Sequence, residues 1–238
     1  KYPDECHQQF ILWINDESED IRRLVSEGTR PRLPWGMRLH QFIDNPKSNI
    51  PLLTHLKNDT SLYVRRSVAN HLNDIAKDHP NLVINTCEQW YKNANNELKW
   101  LIKHATRTLI KDGHTDVFPL LGFTKKPQVS IEQLSVSKEK VKLGESIAFQ
   151  FNLLAKSNTQ QKLVIDYAIH FVKANGKQQA KVFKLKNIDL AKVDKKTITK
   201  QFSFKAISTR KYYPGEHKLE ILVNGLSMAT SNFDLLPT

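Results

Sequence analysis

Hydrophobic residues along the chain follow two different periods, and the change falls near Pro127. Upstream of it, apolar positions recur three and four residues apart, as in Ile21, Leu24 and Val25 and again in Val64, Val68, Leu72 and Ile75, which is the spacing of an amphipathic helix. The pattern predicts helices over 4–14, 17–27, 36–44, 48–57, 60–78, 80–93 and 96–112, several opening on an Asp, Ser or Thr cap and closing at Gly28, Pro46, Pro80 or Gly113. Downstream the period is two, as in Val164-Ile165-Asp166-Tyr167-Ala168-Ile169 and His217-Lys218-Leu219-Glu220-Ile221-Leu222-Val223, with turn signals at Asn175-Gly176, Pro214-Gly215 and Asn224-Gly225. Seven or eight short strands at that spacing predict a β-sandwich of the immunoglobulin sort, without the Cys-Trp-Cys signature of a disulfide-pinned one. The expected architecture is α then β: a HEAT-like helical repeat solenoid over 1–124 and an immunoglobulin-like sandwich over 128–238.

The helical half contains a loose repeat. Asp20–Val25, Tyr63–Val68 and Trp100–Ala105 can be laid over one another at offsets of 43 and 37 residues, the spacing of stacked helix pairs. The overlay places Arg23 and Glu27 on the first helix, Arg66, Asn70 and Asp74 on the second, and Lys99, Lys103, Arg107 and Lys111 on the third in equivalent stripes. Stacking the repeats assembles one basic face with two carboxylates in its middle. A charged stripe is also what any solvated helix shows, so Arg22 and Arg65 read as structural and Lys99 and Lys111 as solvated. Trp13, Trp90 and Trp100 lie on apolar helix faces and read as core.

Composition narrows the class. With 238 residues the chain is long enough for two domains, each with its own core. No apolar run approaches the roughly 18–20 residues that cross a bilayer, and the opening KYPDECHQQF lacks the basic and apolar regions of a signal peptide, so the expected location is cytoplasmic. Cys6 and Cys87 fit no metal or redox spacing; neither a metal, a disulfide nor a cofactor is expected. The net charge of +12 is uneven: 18 basic residues stand against 15 acidic ones up to Lys126, and 18 against 9 beyond it. Eight of the nine arginines lie in the first half, whereas the second is basic through lysine apart from Arg210. Arginine forks dock phosphates directionally and lysines attract them more diffusely, so the partner this balance suggests is a polyanion.

The stretch Arg22–Trp35 joins these threads. A helix carrying Glu27 stops at Gly28, and the chain then runs through Arg30 and Arg32, held by Pro31 and Pro34, into Trp35. Arginines suit a polyanion, the carboxylate suits a developing positive charge, and the indole suits a flat or apolar group; together they suggest chemistry on nucleic acid.

SEGTRPRLPWG at 26–36, SLYVRRSVANHLNDIAKDHP at 61–80 and LKWLIKHATRTLIKDGH at 98–114 resemble, in the same order, motifs of the AlkC branch of the AlkC/AlkD bacterial DNA glycosylases. The resemblance extends over the whole chain, since one AlkC subgroup carries an immunoglobulin-like domain after its helical repeats. Members have further residues ahead of this start, including another acidic residue at the site, so the chain reads as N-terminally truncated. The resemblance implies a monomeric base-excision repair enzyme acting on double-stranded DNA with cationic alkylated bases such as 3-methyladenine and 3-methylcytosine, working without base flipping. It makes Glu27, Asp74 and Trp35 the catalytic set: Asp74 to activate water, Glu27 to stabilise an oxocarbenium-like sugar, Trp35 to pack on the nucleotide. Arg30, Arg32, Arg38, Arg66, Asn70, Lys103 and Arg107 are the expected DNA contacts, with Arg210 and Lys211 as a second clamp on the sandwich. Two other classes fit the residues as well, a non-catalytic DNA-binding module and a protein-binding scaffold.

Overall fold

Helices occupy the first half of the chain and strands the second in the computed structural model, which describes residues 2–237. The helices are α1 (Pro3–Trp13), α2 (Glu19–Glu27), α3 (His40–Asp44), α4 (Asn49–Leu56), α5 (Leu62–Ile75), α6 (Pro80–Tyr91), α7 (Asn96–Ala105), α8 (Arg107–Lys111) and α9 (Val117–Leu120), with a 3-10 turn at Pro46–Ser48. The long helix expected over 96–112 is broken at Thr106, and the one expected over 36–44 begins at His40. Thr106 Oγ1 bonds back to the Ile102 carbonyl at 2.9 Å, the side-chain-to-backbone competition by which threonine disturbs a helix. Asn73 Oδ1 then accepts the Thr108 amide, so α8 starts afresh.

α5 packs between α2 and α7, with α4 and α6 also against it. Its buried positions are therefore not one stripe: Val64, Val68, Leu72 and Ile75 are buried, and so are Ser67, His71 and Asp74. The repeat is visible atom by atom. Arg22 donates to the carbonyls of Asp16 and Glu17, and Arg65, 43 residues on, donates to those of Asp59 and Thr60. Asp16 and Asp59 each accept the amide two residues downstream at 2.8 Å. Arg22 also pairs with Asp59 at 2.7 Å, tying one repeat to the next.

The chain divides into compact units between Ile110 and Lys111, upstream of the boundary expected at 124–128. The second unit holds α9 and eight strands: β1 (Val129–Val136), β2 (Lys140–Val141), β3 (Ser146–Ala155), β4 (Gln161–Val172), β5 (Gln178–Leu190), β6 (Lys195–Ser203), β7 (Gly215–Val223) and β8 (Leu226–Leu235). They form a three-stranded sheet in the order β1-β3-β6 and a five-stranded sheet in the order β2-β8-β7-β4-β5. The core between them is strongly aromatic, with Phe149, Phe151, Phe171 and Phe204 buried beside Leu153, Ile165 and Ile221. Asn224-Gly225 makes the β7–β8 turn with both residues at positive φ. A Cβ on Gly225 would stand 2.6 Å from the Gly113 carbonyl oxygen and 2.8 Å from the Phe118 ring, so glycine admits the α9 segment to this turn.

Candidate active site

α2 ends where the chain meets α1. A Cβ at position 28 would lie 2.9 Å from the Leu24 carbonyl oxygen and 3.1 Å from the Phe10 ring, so glycine is needed for the approach. Two residues later Arg30 turns back beneath the helix and is 6% exposed. Its Nη1 donates to Glu27 Oε1 at 2.8 Å, its Nε donates to Asp74 Oδ2 at 2.9 Å, and its Nη2 forms an ion pair with the same oxygen at 2.7 Å. One guanidinium thus holds the two carboxylates, 47 residues apart in sequence, at opposite edges of its fork. Glu27 Oε2 accepts from Ser67 Oγ at 2.5 Å, and Arg23 Nη2 stands 3.6 Å from Oε1. Asp74 Oδ1 accepts from Lys77 Nζ at 2.9 Å. Asp74 is 3% exposed and Glu27 is partly exposed, so solvent has readier access to Glu27.

Beneath this pair lies a buried polar layer. His71 is fully buried and bonds the Ser26 carbonyl through Nδ1 at 3.0 Å and Asn49 Nδ2 through Nε2 at 3.4 Å. The partners require Nδ1–H to donate and Nε2 to accept, which is a neutral ring. Burial, opposed by the Ser26 hydrogen bond, lowers the imidazole to about 3. Asn49 Nδ2 also donates to the Thr29 carbonyl, and Thr29 Oγ1 bonds the Val25 carbonyl. The layer pins the backbone on both sides of Glu27. Ser67 and His71 sit four apart on the apolar face of α5, and polar residues at that phase were the one signal in the sequence that marked them.

Trp35 is 106% exposed and has φ +63°, a left-handed conformation that costs an indole-bearing residue about 1 kcal/mol or more. The loop holds it there through Leu39 N donating to the Pro31 carbonyl and Gly36 N to that of Leu33, both at 3.2 Å. Arg38 is exposed and lines a cavity of about 350 Å³ with Phe10, Thr29, His40 and Phe42. Arg32 is bidentate to Asp78 at 2.8 and 2.9 Å. Both arginines expected at DNA are paired with carboxylates, Arg30 in the interior with Asp74 of α5 and Glu27, and Arg32 nearer the surface with Asp78 in the turn after α5.

On the neighbouring helices Arg66 and Lys103 are exposed. Asn70 Oδ1 accepts from His104 Nε2 at 3.1 Å and from Arg107 Nη2 at 3.0 Å. Burial lowers the affinity of Arg107 for its proton, opposed by Asp74 and reinforced by Arg30. Trp100, expected in the core, is 38% exposed and stacks on His104 with 5.3 Å between centroids and 5° between planes. Trp90 is buried and Trp13 is half-buried. In the sandwich Arg210 lies 4.6 Å over Phe171 and 5.7 Å from the Tyr212 ring, so its guanidinium closes an aromatic cluster; Lys211 is exposed beside Tyr213. Among the described residues no group of three or more His, Cys, Asp or Glu is placed to hold a metal ion, and no helix is long and apolar enough to cross a membrane.

Helices that bring two carboxylates onto one buried guanidinium, followed by an immunoglobulin-like sandwich, are the combination that fold and site present. A family profile for the C-terminal Ig-like domain of uncharacterised protein YhaZ matches residues 130–237. The chain is 42% identical over 217 residues to the uncharacterized protein YhaZ of Bacillus subtilis (strain 168), covering 91% of this chain and 60% of that protein. It is 43% identical, with a TM-score of 0.90, to the alkylpurine DNA glycosylase AlkC of Pseudomonas fluorescens bound to DNA containing an abasic site analog, covering 98% of this chain and 65% of that one. Over nearly its whole length the chain is similar to AlkC and to YhaZ. It spans less than two thirds of the length of either relative.

Proposed function

We propose that this chain carries the catalytic surface of a DNA glycosylase that hydrolyses the N-glycosidic bond of cationic alkylated bases, such as 3-methyladenine and 3-methylcytosine, without flipping them out. The observation that carries the reading is the pair of carboxylates held on one buried guanidinium, with an exposed indole presented by the loop between them. The similarity to AlkC, solved with abasic-site DNA, supports the substrate class.

A cationic base leaves as a neutral molecule, so no acid is needed. What develops is positive charge on the deoxyribose, and Glu27 and Asp74 stabilise it. One carboxylate about 4 Å from a unit charge contributes about 4 kcal/mol at an effective dielectric near 20, which is roughly a thousandfold in rate. Arg30 offsets part of that field and in exchange fixes both carboxylates before DNA arrives. Asp74 accepts the proton of the attacking water. Of its two cationic partners Lys77 is the exposed one, with 40% side-chain exposure, so movement of Lys77 to a phosphate opens Oδ1. Trp35 packs on the sugar or the cationic nucleotide, and Arg38, Arg66, Asn70, Lys103 and Arg107 hold the phosphates, with Lys211 a further contact on the sandwich.

The test is base release from methylated duplex. Asp74→Asn is expected to keep duplex binding and to lose at least about a hundredfold in the rate of 3-methyladenine release. Release at the unaltered rate removes Asp74 from the mechanism. The enclosure of Asp74 by cations favours one second reading, a DNA-binding module without catalysis. It is the reading that stands if the unaltered protein binds duplex with the expected salt dependence and releases no base.

A further inference from the structure

Outside the carboxylate site, α5, α7 and α8 bring together a set of like charges. Arg66 projects from α5, Lys103 from α7 and Arg107 from the start of α8, and none of them forms an ion pair among the described residues. Asn70 turns its oxygen to His104 and Arg107, and among the described residues nothing engages its amide NH₂. His104 presents Nε2–H to that oxygen, which leaves Nδ1 as the open nitrogen. Burial lowers the imidazole below its ordinary range, with Arg107 and then Arg66 adding to the effect. Cations with no directly paired carboxylate among the described residues leave room for an anion, and Trp100, stacked flat on the His104 ring and exposed, supplies an apolar platform beside it.

We propose that Arg66, Asn70, His104 and Arg107 seat one phosphate of a nucleic-acid backbone and that the adjoining deoxyribose or base lies on the Trp100 indole. The assignment rests on the glycosylase reading and adds Trp100 and His104 to its contacts. An anion in the seat reverses the balance at His104, whose charged neighbours are the guanidinium groups of Arg107 and Arg66 and, beyond Arg107, the Asp74 carboxylate. Arrival of the phosphate therefore draws a proton onto Nδ1, and affinity rises as the pH falls.

Duplex binding is measured by fluorescence anisotropy at fixed salt, with base release from methylated duplex followed in parallel. Trp100→Ala is expected to weaken binding about tenfold, the usual loss when an aromatic stacking platform is removed, and Trp100→Phe to retain most of the affinity. The unaltered protein should bind more tightly at about pH 5.5 than at about pH 7.5, and His104→Gln should flatten that dependence. Circular dichroism of the variants checks that the helices are intact. Failure of the unaltered protein to bind duplex overturns the glycosylase reading and this seat together. If it binds and releases base while Trp100→Ala and His104→Gln behave as it does, the seat alone is overturned.

Discussion

In the helical unit a guanidinium, a carboxylate and an imidazole are buried together, whereas the sandwich buries mainly phenylalanines and aliphatic side chains, with Asp166 and His217 among them, and keeps its guanidinium and ammonium groups out of that core. Arg30, Asp74 and His71 lie alongside buried Asn49, Ser67 and Thr29, and most of their polar atoms find partners within the unit. Taking such groups out of water is expensive, and a hydrophobic replacement of the same volume is commonly no worse for stability. The arrangement is therefore better explained by what the groups present to a ligand than by what they contribute to folding. The sandwich shows the opposite economy: its core would serve any binding surface, and its Arg210 is used as packing over Phe171 and Phe183.

The largest contrast is expected from removing one arginine in each unit. Arg30→Ala leaves two carboxylates facing each other without their shared cation and is expected to cost about 3–5 kcal/mol of helical-unit stability, and base release with it. Arg210→Ala removes a cation–π contact and is expected to cost the sandwich about 1 kcal/mol. The four tryptophans all precede Ile110, so indole fluorescence in a denaturant titration reads the helical unit alone and calorimetry supplies the second transition. Equal losses would erase the distinction drawn between the units.

Acidification should act in opposite directions on His71 of the helical unit and Asp166 of the sandwich, while His217, lowered by burial, opposes Asp166 within the sandwich. His71 is neutral and lowered from 6.5 to about 3 by burial, so the unfolded helical unit binds a proton that the folded one does not. Its stability is complete above about pH 6.5 and falls as the pH drops toward 3, by up to about 4 kcal/mol. Asp166 in β4 is raised from 3.8 to about 6, by burial first and against the pull of Lys184. The sandwich is stabilised by that proton below about pH 4 and loses the benefit as the pH rises through 6, by up to about 3 kcal/mol. With indole-detected and calorimetric midpoints followed from pH 7 to pH 4, His71→Gln should reduce the acid loss of the helical unit, and Asp166→Asn should make the sandwich lose more stability on acidification than the unaltered protein does. A variant whose response matches that of the unaltered protein would contradict the assignment of the residue it replaces.

The smallest effect separates function from stability within the helical unit itself. Trp35 is exposed at φ +63°, so Trp35→Gly is expected to raise the indole-detected midpoint by about 1 kcal/mol at most while lowering duplex binding. A destabilised variant would mean that the indole packs on its own loop.

Much of this molecule was legible in one dimension. The change of period near Pro127, the caps and the turn dipeptides give helices followed by strands, and the 43-residue offset is matched by the paired bonds of Arg22 and Arg65. The motifs around Glu27 and Asp74 also pointed to the residues that meet. Periodicity assigns a face to each side chain only on the assumption that a helix has one buried face. α5 packs against both α2 and α7, and so Asp74 is buried where an open basic stripe was expected. The destination of a charge is likewise a long-range matter. Arg30 and Arg32 look alike in sequence and differ in whether a carboxylate waits beneath or beside them. Composition and spacing therefore determined the elements, their order and the chemistry available. Tertiary packing decided which charges cancel and which remain for a ligand, since that depends on distances of a few ångströms between residues some forty positions apart.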